Sequence, residues 1–429
     1  MPKQLIKHKS LTTSALLSIA VFSQPAHAGI TKNIEDALNF YHYGNDGAVT
    51  IDLNYRFENF NQDRGSQKTA NGNTARLRLG YITPKFYGFQ GFVEYEGNLA
   101  LEEDYNSTRN GKTGFSTIAD PSLNELNQAW ITYAGIPDNL IKVGRQRIKI
   151  DDDRFIGNVG WRQLEQTYDA LLWTHNNQTL FGLVAKAGYI GTVQTFTGIT
   201  QHIEAPFLNV NYKVGDYGNI IGYGYWLNYT DTNERATIEQ SNQTYGLRAN
   251  ATKPIPINDN FGVTYNAEYS HQSNYGNGPT PYNVDRYYFV GGLSAYKVLV
   301  QGAVEQLDGV GANKHFDTPL GTNHAFQGWA DNFLITPNNG IRDVFASISI
   351  PLLNDEVLLT GVYHDFFDDT GKLDYGSEWD FQATKKFGKH YSLLAKYATY
   401  NAGTSNPYAP NANLNTDTQK VWLGWNVNF

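Results

Sequence analysis

The sequence contains no cysteine and no long apolar run, and each absence excludes a class of protein. With 0 Cys in 429 residues, a disulfide-stabilised scaffold, thiolate metal ligation and cysteine nucleophiles are all excluded. No stretch approaches the roughly 20 consecutive apolar residues that a membrane-spanning helix needs, so a helical membrane protein is excluded as well. Only 10 residues are His, which does not indicate an imidazole metal centre, and we expect neither a metal nor a cofactor.

Charge is also scarce, although the chain is polar. Charged residues make up 17% of the chain, against about 25% in an average soluble domain. The polarity comes instead from Asn, Gln, Thr and Ser, together with 41 Gly and 29 Tyr. The formal net charge is -8, so nucleic acid, which binds basic surfaces, is not an expected partner.

Residues 1–28 have the three parts of a secretory signal peptide. A basic region with three lysines precedes the apolar core Leu11–Phe22, and Ala26–Ala28 forms an A-x-A cleavage site. An N-terminal membrane anchor is the alternative, but the apolar run is too short to span a bilayer. We therefore predict a signal peptide followed by one domain over residues 29–429.

Within that domain, apolar and polar residues alternate with a period of two. In one segment the apolar positions are Val49, Ile51, Leu53, Tyr55 and Phe57, and the polar positions between them are Thr50, Asp52, Asn54 and Arg56. This period indicates β-strands with one apolar and one wet face. A soluble sandwich would show the same alternation, but its strands average roughly five or six residues. Here they commonly reach about ten, which favours a membrane barrel.

The connections between the alternating segments are short and long in turn. The short ones include Thr83–Gly88 and Phe387–His390, and the long ones include Lys149–Thr167, Gly191–Glu204 and Asp308–Gly340. Bacterial outer-membrane barrels show this asymmetry, with short periplasmic turns and long extracellular loops around an even number of strands. We count about 18 strands, so the predicted fold is all-β, a transmembrane antiparallel β-barrel in the outer membrane of a Gram-negative cell.

The end of the chain and its aromatic content agree with that fold. The last strand alternates up to the terminal Phe429, which resembles the signal that outer-membrane proteins present to the barrel-assembly machinery. The 8 Trp, 29 Tyr and 23 Phe suit the aromatic girdles at the two membrane interfaces. Outer-membrane lipid, lipopolysaccharide and the assembly machinery are therefore the expected partners.

A barrel of 16 to 18 strands is too wide for the side chains of its wall to fill the interior, so an aqueous channel is expected. Its inward face carries charges of both signs, and the predicted inward basic residues are Arg56, Arg76, Arg78, Lys142, Lys186, Lys213, Arg248 and Lys396. One interpretation is a solvated wall of neighbouring ion pairs. The other is a patch of unpaired arginines that attracts anions, and Arg76 and Arg78 are its best candidates because only Glu94 and Glu96 lie nearby on the next strand.

Between two of the strands lies the least repetitive segment of the chain, which includes the long connection 149–167. It contains apolar side chains, Phe155 and Trp161 among them, that would not be left in open water. Gly157 and Gly160 permit tight backbone turns. Arginines and carboxylates in the same segment can form bidentate pairs. We predict a folded loop that narrows the pore.

The run GRQ…DDxRFIGNVGWRQxEQTxDA within Gly144–Ala170 resembles the signature of the alginate-export porin family, whose members are 18-stranded outer-membrane barrels. The resemblance implies export of an anionic uronate polymer through an arginine-rich constriction, although many relatives resemble general sugar or sugar-acid porins. On the family pattern, the residues that line or brace the constriction are Arg145, Arg154 and Arg162, with Asp153, Glu165 and Asp169 as bracing carboxylates. The alternative is that these residues form internal loop ion pairs without solute contact.

An enzymatic barrel is a rival interpretation, and it requires a nucleophile beside a base. His364 is the inward histidine to test. Registering its strand about the turn Pro351–Asp355 places Arg342 opposite it, and Glu378 lies across the next hairpin. No nucleophile converges, so no enzyme is expected. A structural or adhesive barrel would favour a plugged lumen, and about 18 strands argue against a plug made of side chains alone. The adjacent carboxylates Asp151–Asp153 lack the spacing of a Ca²⁺ loop, so a solvated or arginine-paired cluster is expected there.

The sequence thus predicts an outer-membrane porin that passes hydrophilic, acidic sugar polymers or oligomers by diffusion and without covalent chemistry. The alternative is a general or sugar-uptake diffusion porin without uronate specificity. The direction of transport, the natural solute and the oligomeric state stay open.

Overall fold

The computed structural model describes residues 42–43, 47–62, 67–177, 182–231, 235–311, 314–404 and 414–429. In these ranges, 18 long antiparallel strands form a closed β-barrel, so the predicted fold class is confirmed. The predicted signal peptide, residues 1–28, lies outside the described residues. Across the described ranges, no helix combines the length and the apolar character that crossing a membrane would require.

The 18 barrel strands are numbered here in chain order. They are β1 (Gly47–Gln62), β2 (Ala70–Ile82), β3 (Phe89–Asp104), β4 (Leu123–Tyr133), β5 (Asn139–Gln146), β6 (Thr167–Asn177), β7 (Leu183–Gln194), β8 (Thr200–Val214), β9 (Gly218–Tyr229), β10 (Asn242–Asn250), β11 (Phe261–Asn274), β12 (Asn283–Ala295), β13 (Val298–Leu307), β14 (Ile341–Leu352), β15 (Val357–Phe367), β16 (Asp374–Phe387), β17 (Tyr391–Ala402) and β18 (Thr418–Asn428). Shorter elements are the strands His42–Tyr43, Ile255–Pro256, Gly309–Gly311 and Lys314–His315, the α-helix Arg235–Ile238 and the 3₁₀-helix Asn323–Ala325.

The barrel closes because β1 pairs with β18. Leu53 lies opposite Val427 in this pairing, and the Phe429 N–H donates to the Ile51 carbonyl at 2.8 Å. Closure leaves no strand edge with unpaired backbone groups, which is the condition for a sheet to lie in lipid. The strands alternate as predicted: apolar side chains such as Leu53 and Leu79 are exposed on the outside, whereas the charged residues between them are buried inside.

Connections at one end of the barrel are short, for example residues 296–297 and 388–390, while residues 308–340 form a long connection at the other end. The prediction for Gly191–Glu204 is wrong, because β7 and β8 extend beyond the expected limits and leave only residues 195–199 between them. A strand that continues above the membrane keeps its hydrogen-bonding partners although its side chains become polar, so the hydropathy pattern ends before the strand does.

Candidate functional site

The connection between β5 and β6, residues 147–166 (loop A), contacts strands on opposite sides of the barrel. The ring of Phe155 packs 5.5 Å from the ring of Tyr225 on β9. The Arg162 guanidinium binds the Glu58 carboxylate of β1 at 3.1 Å. Because β1 and β9 lie eight strands apart in a ring of 18, loop A extends across the lumen.

Loop A packs against the connection between β13 and β14, residues 308–340 (loop B). The Gly157 N–H donates to the Leu320 carbonyl at 2.9 Å, and the Val159 N–H donates to the Thr322 hydroxyl at 3.0 Å. A side chain at Gly157 would bring its Cβ within 2.4 Å of the Thr322 Oγ1 atom. Glycine is therefore required for this close approach of the two loops.

Arg162 of loop A is fully engaged by carboxylates. Besides Glu58, it lies 3.5 Å from Asp120 and 3.4 Å from Asp331 of loop B. Burial by itself would lower the pKa of Arg162, but the three carboxylates outweigh burial and raise the pKa above its ordinary value. The guanidinium thus joins β1, loop A and loop B in one buried cluster.

Arg154 lies on the other side of loop A, again with a buried partner. Its guanidinium binds Glu305 of β13 at 3.2 Å and donates to the Gln327 side chain at 3.1 Å. It also lies 4.5 Å from the ring of Phe326. Loop B supplies both Gln327 and Phe326, so Arg154 is a second link between the two loops.

Glu165 and Asp153 bind other cations than expected. The prediction pairs them with the arginines at positions 145, 154 and 162. Glu165 pairs with Arg147 and lies 3.7 Å from Arg78. Burial raises the pKa of Glu165, but Arg78 and Arg147 outweigh it and lower the pKa to about 2. Asp153 binds Lys149 at 2.8 Å. The ends of loop A leave adjacent strands, and this brings residues 147 and 165 together.

Arg145 and Asp169 pair with each other on the outer side of the barrel. They are directly opposite on β5 and β6, and two N···O distances of 2.8 and 2.9 Å make the pair bidentate. Two residues along, Val143 and Leu171 are opposite each other and are 52% and 49% exposed. Side chains two apart on a strand share a face. This register therefore corrects the expectation that Arg145 and Asp169 lie at the constriction.

Arg76 and Arg78 are inward but not unpaired, so that part of the prediction is wrong. Arg76 binds Asp52 of β1 and donates to the Gln163 carbonyl of loop A at 3.3 Å. Arg78 binds Glu96 of β3. Asp52 lies on β1, which pairs with β2 on the side opposite to β3, so carboxylates flank Arg76 and Arg78 on both neighbouring strands.

The aspartates Asp151–Asp153 are distributed among separate partners. Asp152 binds Arg248 of β10 at 2.9 Å, and Asp151 accepts a hydrogen bond from the Asn209 amide at 2.7 Å. Arg248 also lies 3.8 Å from Glu268, its cross-strand neighbour on β11. The three carboxylates therefore point to different groups.

A cluster of aromatic and charged residues fastens loop B to the wall; we name it the latch. It consists of Trp161 of loop A, His324, Trp329 and Asp331 of loop B, Lys396 of β17, and Lys420 and Trp422 of β18. Its centre is a hydrogen-bonded series: Asp331 binds Lys420 at 2.8 Å and His324 Nδ1 at 2.6 Å, and Lys396 Nζ lies 2.7 Å from His324 Nε2.

His324 is neutral in this arrangement. Its ring stacks on Trp161 at 4.0 Å, and burial lowers the pKa of His324 to about 3. A neutral imidazole with the proton on Nδ1 donates to Asp331 and accepts from Lys396 through Nε2. The Lys396 ammonium lies 3.7 Å from the centre of the Trp329 ring, which adds a cation–π contact.

Three inward lysines differ from the arginines because they form no ion pair with any described carboxylate. Lys142 on β5 lies opposite Thr132, Lys186 on β7 opposite the buried Asn209, and Lys213 on β8 opposite Asn219. All three lie towards the periplasmic end of their strands. Lys142 instead lies over the Trp130 ring, and Lys186 donates to the Lys149 carbonyl at 3.4 Å, so no described carboxylate compensates their charge.

His364 has an acidic environment and no nucleophile. It lies opposite Phe345 and not Arg342, because residues 353–356 form the turn and shift the expected register. Its Nδ1 lies 2.9 Å from Asp343, and its Nε2 lies 3.6 Å from Asp380. The described residues place no serine or threonine hydroxyl in hydrogen bond with His364.

The comparisons with known proteins agree with this geometry. The family model described as alginate export matches residues 47–291. The chain belongs to the alginate-export family. No curated protein matches it.

Solved structures similar to this alginate-export family member are outer-membrane barrels. OpdL of Pseudomonas aeruginosa has 15% identity and a TM-score of 0.65, covering 90% of this chain and 99% of its own. OpdK of the same organism, solved with vanillate, has 11% identity and a TM-score of 0.65, with 89% and 98% covered. OccAB2 of Acinetobacter baumannii has 15% identity and a TM-score of 0.66, covering 89% of this chain and 98% of its own. The likeness shows the fold.

Family and fold together make this alginate-export family member an integral outer-membrane protein with a porin-type barrel in a lipid environment. They point to a channel and not to an enzyme.

Sequence reasoning missed several residues of the lumen of this alginate-export family member. Arg286 binds Glu305 at 2.6 Å and Glu268 at 3.1 Å, and Lys420 belongs to the latch. The two-residue period marks both, since Arg286 alternates with the exposed Tyr287 and Phe289, and Lys420 lies on the inward face of β18. His324 and Asp331 lie in a long connection without periodicity, so no local pattern identifies them.

Proposed function

We propose that this protein is a diffusion channel for anionic saccharides, oligomers of uronic acids above all. The observation that carries the proposal is the contrast between the inward arginines, which are neutralised by carboxylates, and Lys142, Lys186 and Lys213, which have no ion pair among the described residues. An unpaired ammonium in a wet, narrow passage raises the local concentration of anions. The family description and the vanillate carboxylate in the OpdK structure support an anionic solute.

Within this proposal, loop A, which contains residues 149–166 of the predicted connection 149–167, narrows the passage. The contacts of loop A with β1 and β9 leave less of the lumen for a solute on that level. Arg154 and Arg162 then brace the constriction through Glu305 and Glu58, with the lysines lining the path below. Arg76, Arg78 and Arg248 contribute to the path as members of ion pairs, so their net attraction for anions is small.

The proposal is tested by recording currents through the purified protein in planar lipid bilayers. We expect stepwise conductance that oligouronates block more strongly than neutral oligosaccharides of the same length. Equal block by both classes would make the protein a general diffusion porin, and absence of any conductance would contradict the channel itself. Adding the blocker to one side at a time compares export with uptake.

We also propose that Phe429 is recognised by the barrel-assembly machinery. Phe429 follows β18 directly, and its backbone pairs with Ile51 of β1 in both directions, at 2.8 and 3.1 Å. Its ring stacks on His390 at 4.6 Å. The strand that closes the barrel thus ends in an aromatic residue that is available as a recognition element before closure.

A further inference from the structure

The inner wall near the periplasmic turns carries two aromatic rings beside Lys142. Phe92 of β3 and Trp130 of β4 are direct cross-strand neighbours, with ring centres 5.3 Å apart and planes inclined at 34°. The Lys142 ammonium of β5 lies 4.2 Å from the centre of the Trp130 ring. Phe92, Trp130 and Lys142 are all half-buried, so each keeps part of its surface open to the lumen.

The strand register shows that both rings point inward. Phe92 lies two residues from the inward Glu94 on β3, and its cross-strand neighbour Ile82 is on the same face of β2 as the inward Arg78. A Cβ at Gly80 would lie 2.7 Å from the Phe92 ring. Gly80 therefore leaves the space that the Phe92 ring occupies on the inner wall. The Trp130 Nε1–H donates to the Gln128 side chain at 3.2 Å, which fixes the indole.

Lys142 has no better partner than this ring among the described residues. Glu94, an inward carboxylate of β3, accepts hydrogen bonds from Asn127 and Gln128 at 2.8 Å and lies 3.7 Å from Arg147, so it is already satisfied. A cation–π contact is weaker than a hydrogen bond between two charged groups. A solute carboxylate that enters from the periplasmic end would therefore draw Lys142 towards itself.

We propose that Phe92, Trp130 and Lys142 form a binding subsite for a single uronate residue of the solute. The C–H face of the pyranose packs on the aromatic surface, and the carboxylate binds Lys142. Binding sites of this kind combine an apolar surface with a few polar groups that fix orientation. The inference rests on the proposed function, because it assumes that an acidic sugar enters the lumen.

The subsite is tested by the residence time of a galacturonate trimer in the full-length processed protein in planar bilayers. We expect Lys142→Gln and Trp130→Leu each to shorten the residence time about tenfold, the factor for loss of one hydrogen bond to a charged group or a comparable contact. Lys297→Gln, which removes a lysine that pairs with Asp355 in an exposed periplasmic turn, should leave the residence time unchanged. Block from the periplasmic side should be faster than from the other side.

The two proposals fail in different ways. If the unmodified protein is not blocked by the trimer, the proposed function is wrong. If it is blocked but neither Lys142→Gln nor Trp130→Leu shortens the residence time, the subsite is wrong. A longer residence time for hydroxybenzoate than for galacturonate would overturn the sugar assignment. A tenfold effect of Trp130→Leu on galacturonate, with no effect on block by sulfate, supports stacking of the pyranose.

Discussion

Substitution of Asp331 by Asn should release loop B from the wall. Asp331 is the only carboxylate among the described residues that forms an ion pair with Lys420, at 2.8 Å, and Lys420 is 2% exposed. Removing one partner of a buried ion pair costs about 3–5 kcal/mol, because the other charge is left without compensation. Since about 1.4 kcal/mol changes an equilibrium tenfold, the ratio of released to docked loop should rise about 100- to 4,000-fold.

The assay is single-channel recording of Asp331→Asn, in which released loops widen the lumen and produce more frequent openings of higher conductance. Asp355→Asn is the matched control, because Asp355 binds Lys297 at 2.9 Å in exposed periplasmic turns. An exposed pair contributes only about 0.2–1 kcal/mol, so the control should match the unmodified protein. Current traces for Asp331→Asn that are indistinguishable from the control would refute the reasoning.

A second variant distinguishes release of loop B from unfolding of the whole barrel. Replacing both partners, Asp331→Asn with Lys420→Met, removes the uncompensated charge along with the pair. Such double replacements often change stability little. The double variant should therefore show fewer high-conductance openings than Asp331→Asn alone. Heat-modifiable migration in SDS gels reports whether the barrel stays folded in each variant.

Three further predictions follow from the same structure. First, the low pKa of His324, about 3 against an ordinary 6.5, means that the released loop binds more protons than the docked loop between these values. Docking is therefore complete above pH 6.5 and weakens as the pH falls, by about 2 kcal/mol at pH 5, so high-conductance openings should increase on acidification. A flat pH profile would contradict this, and His324→Gln should remove the dependence. Second, replacing Lys142, Lys186 and Lys213 together by Gln should reduce the preference for anions over cations in reversal-potential measurements, and an unchanged preference would exclude the lysines as its source. Third, deletion of Phe429 should lower the amount of protein in the outer membrane several-fold while the purified chain still folds in detergent, and a normal membrane level would exclude a role in assembly.

The fold could be predicted from sequence because the membrane imposes one simple pattern on every strand. Along a strand, apolar residues such as Leu53 and Leu79 face lipid, and the residues that alternate with them face the lumen. A period of two is therefore sufficient to find the strands. The number of strands and the alternation of turns and loops follow from the same pattern. The ends of the strands above the membrane cannot be predicted from this pattern, because the outer side chains no longer face lipid there.

The ion-pair partners could not be predicted, because they depend on three-dimensional neighbours. The residue pattern predicts that Arg76 faces inward, but its partner Asp52 lies on β1, and its contact with Gln163 requires loop A to be folded inward. The outward direction of Arg145 follows from the register of β5 and β6, which the residue pattern around Gly144 does not reveal.

The pairing of β1 with β18 has a consequence for biogenesis. Asp52 and Asn426, which share a hydrogen bond across this seam, are 374 residues apart in the chain. Contacts so distant in sequence form late and slowly, and until they form both flanking strands expose backbone that can aggregate. The wall is therefore sealed only once the last strand is present, and until then the edges of β1 and β18 must be kept from pairing with other chains.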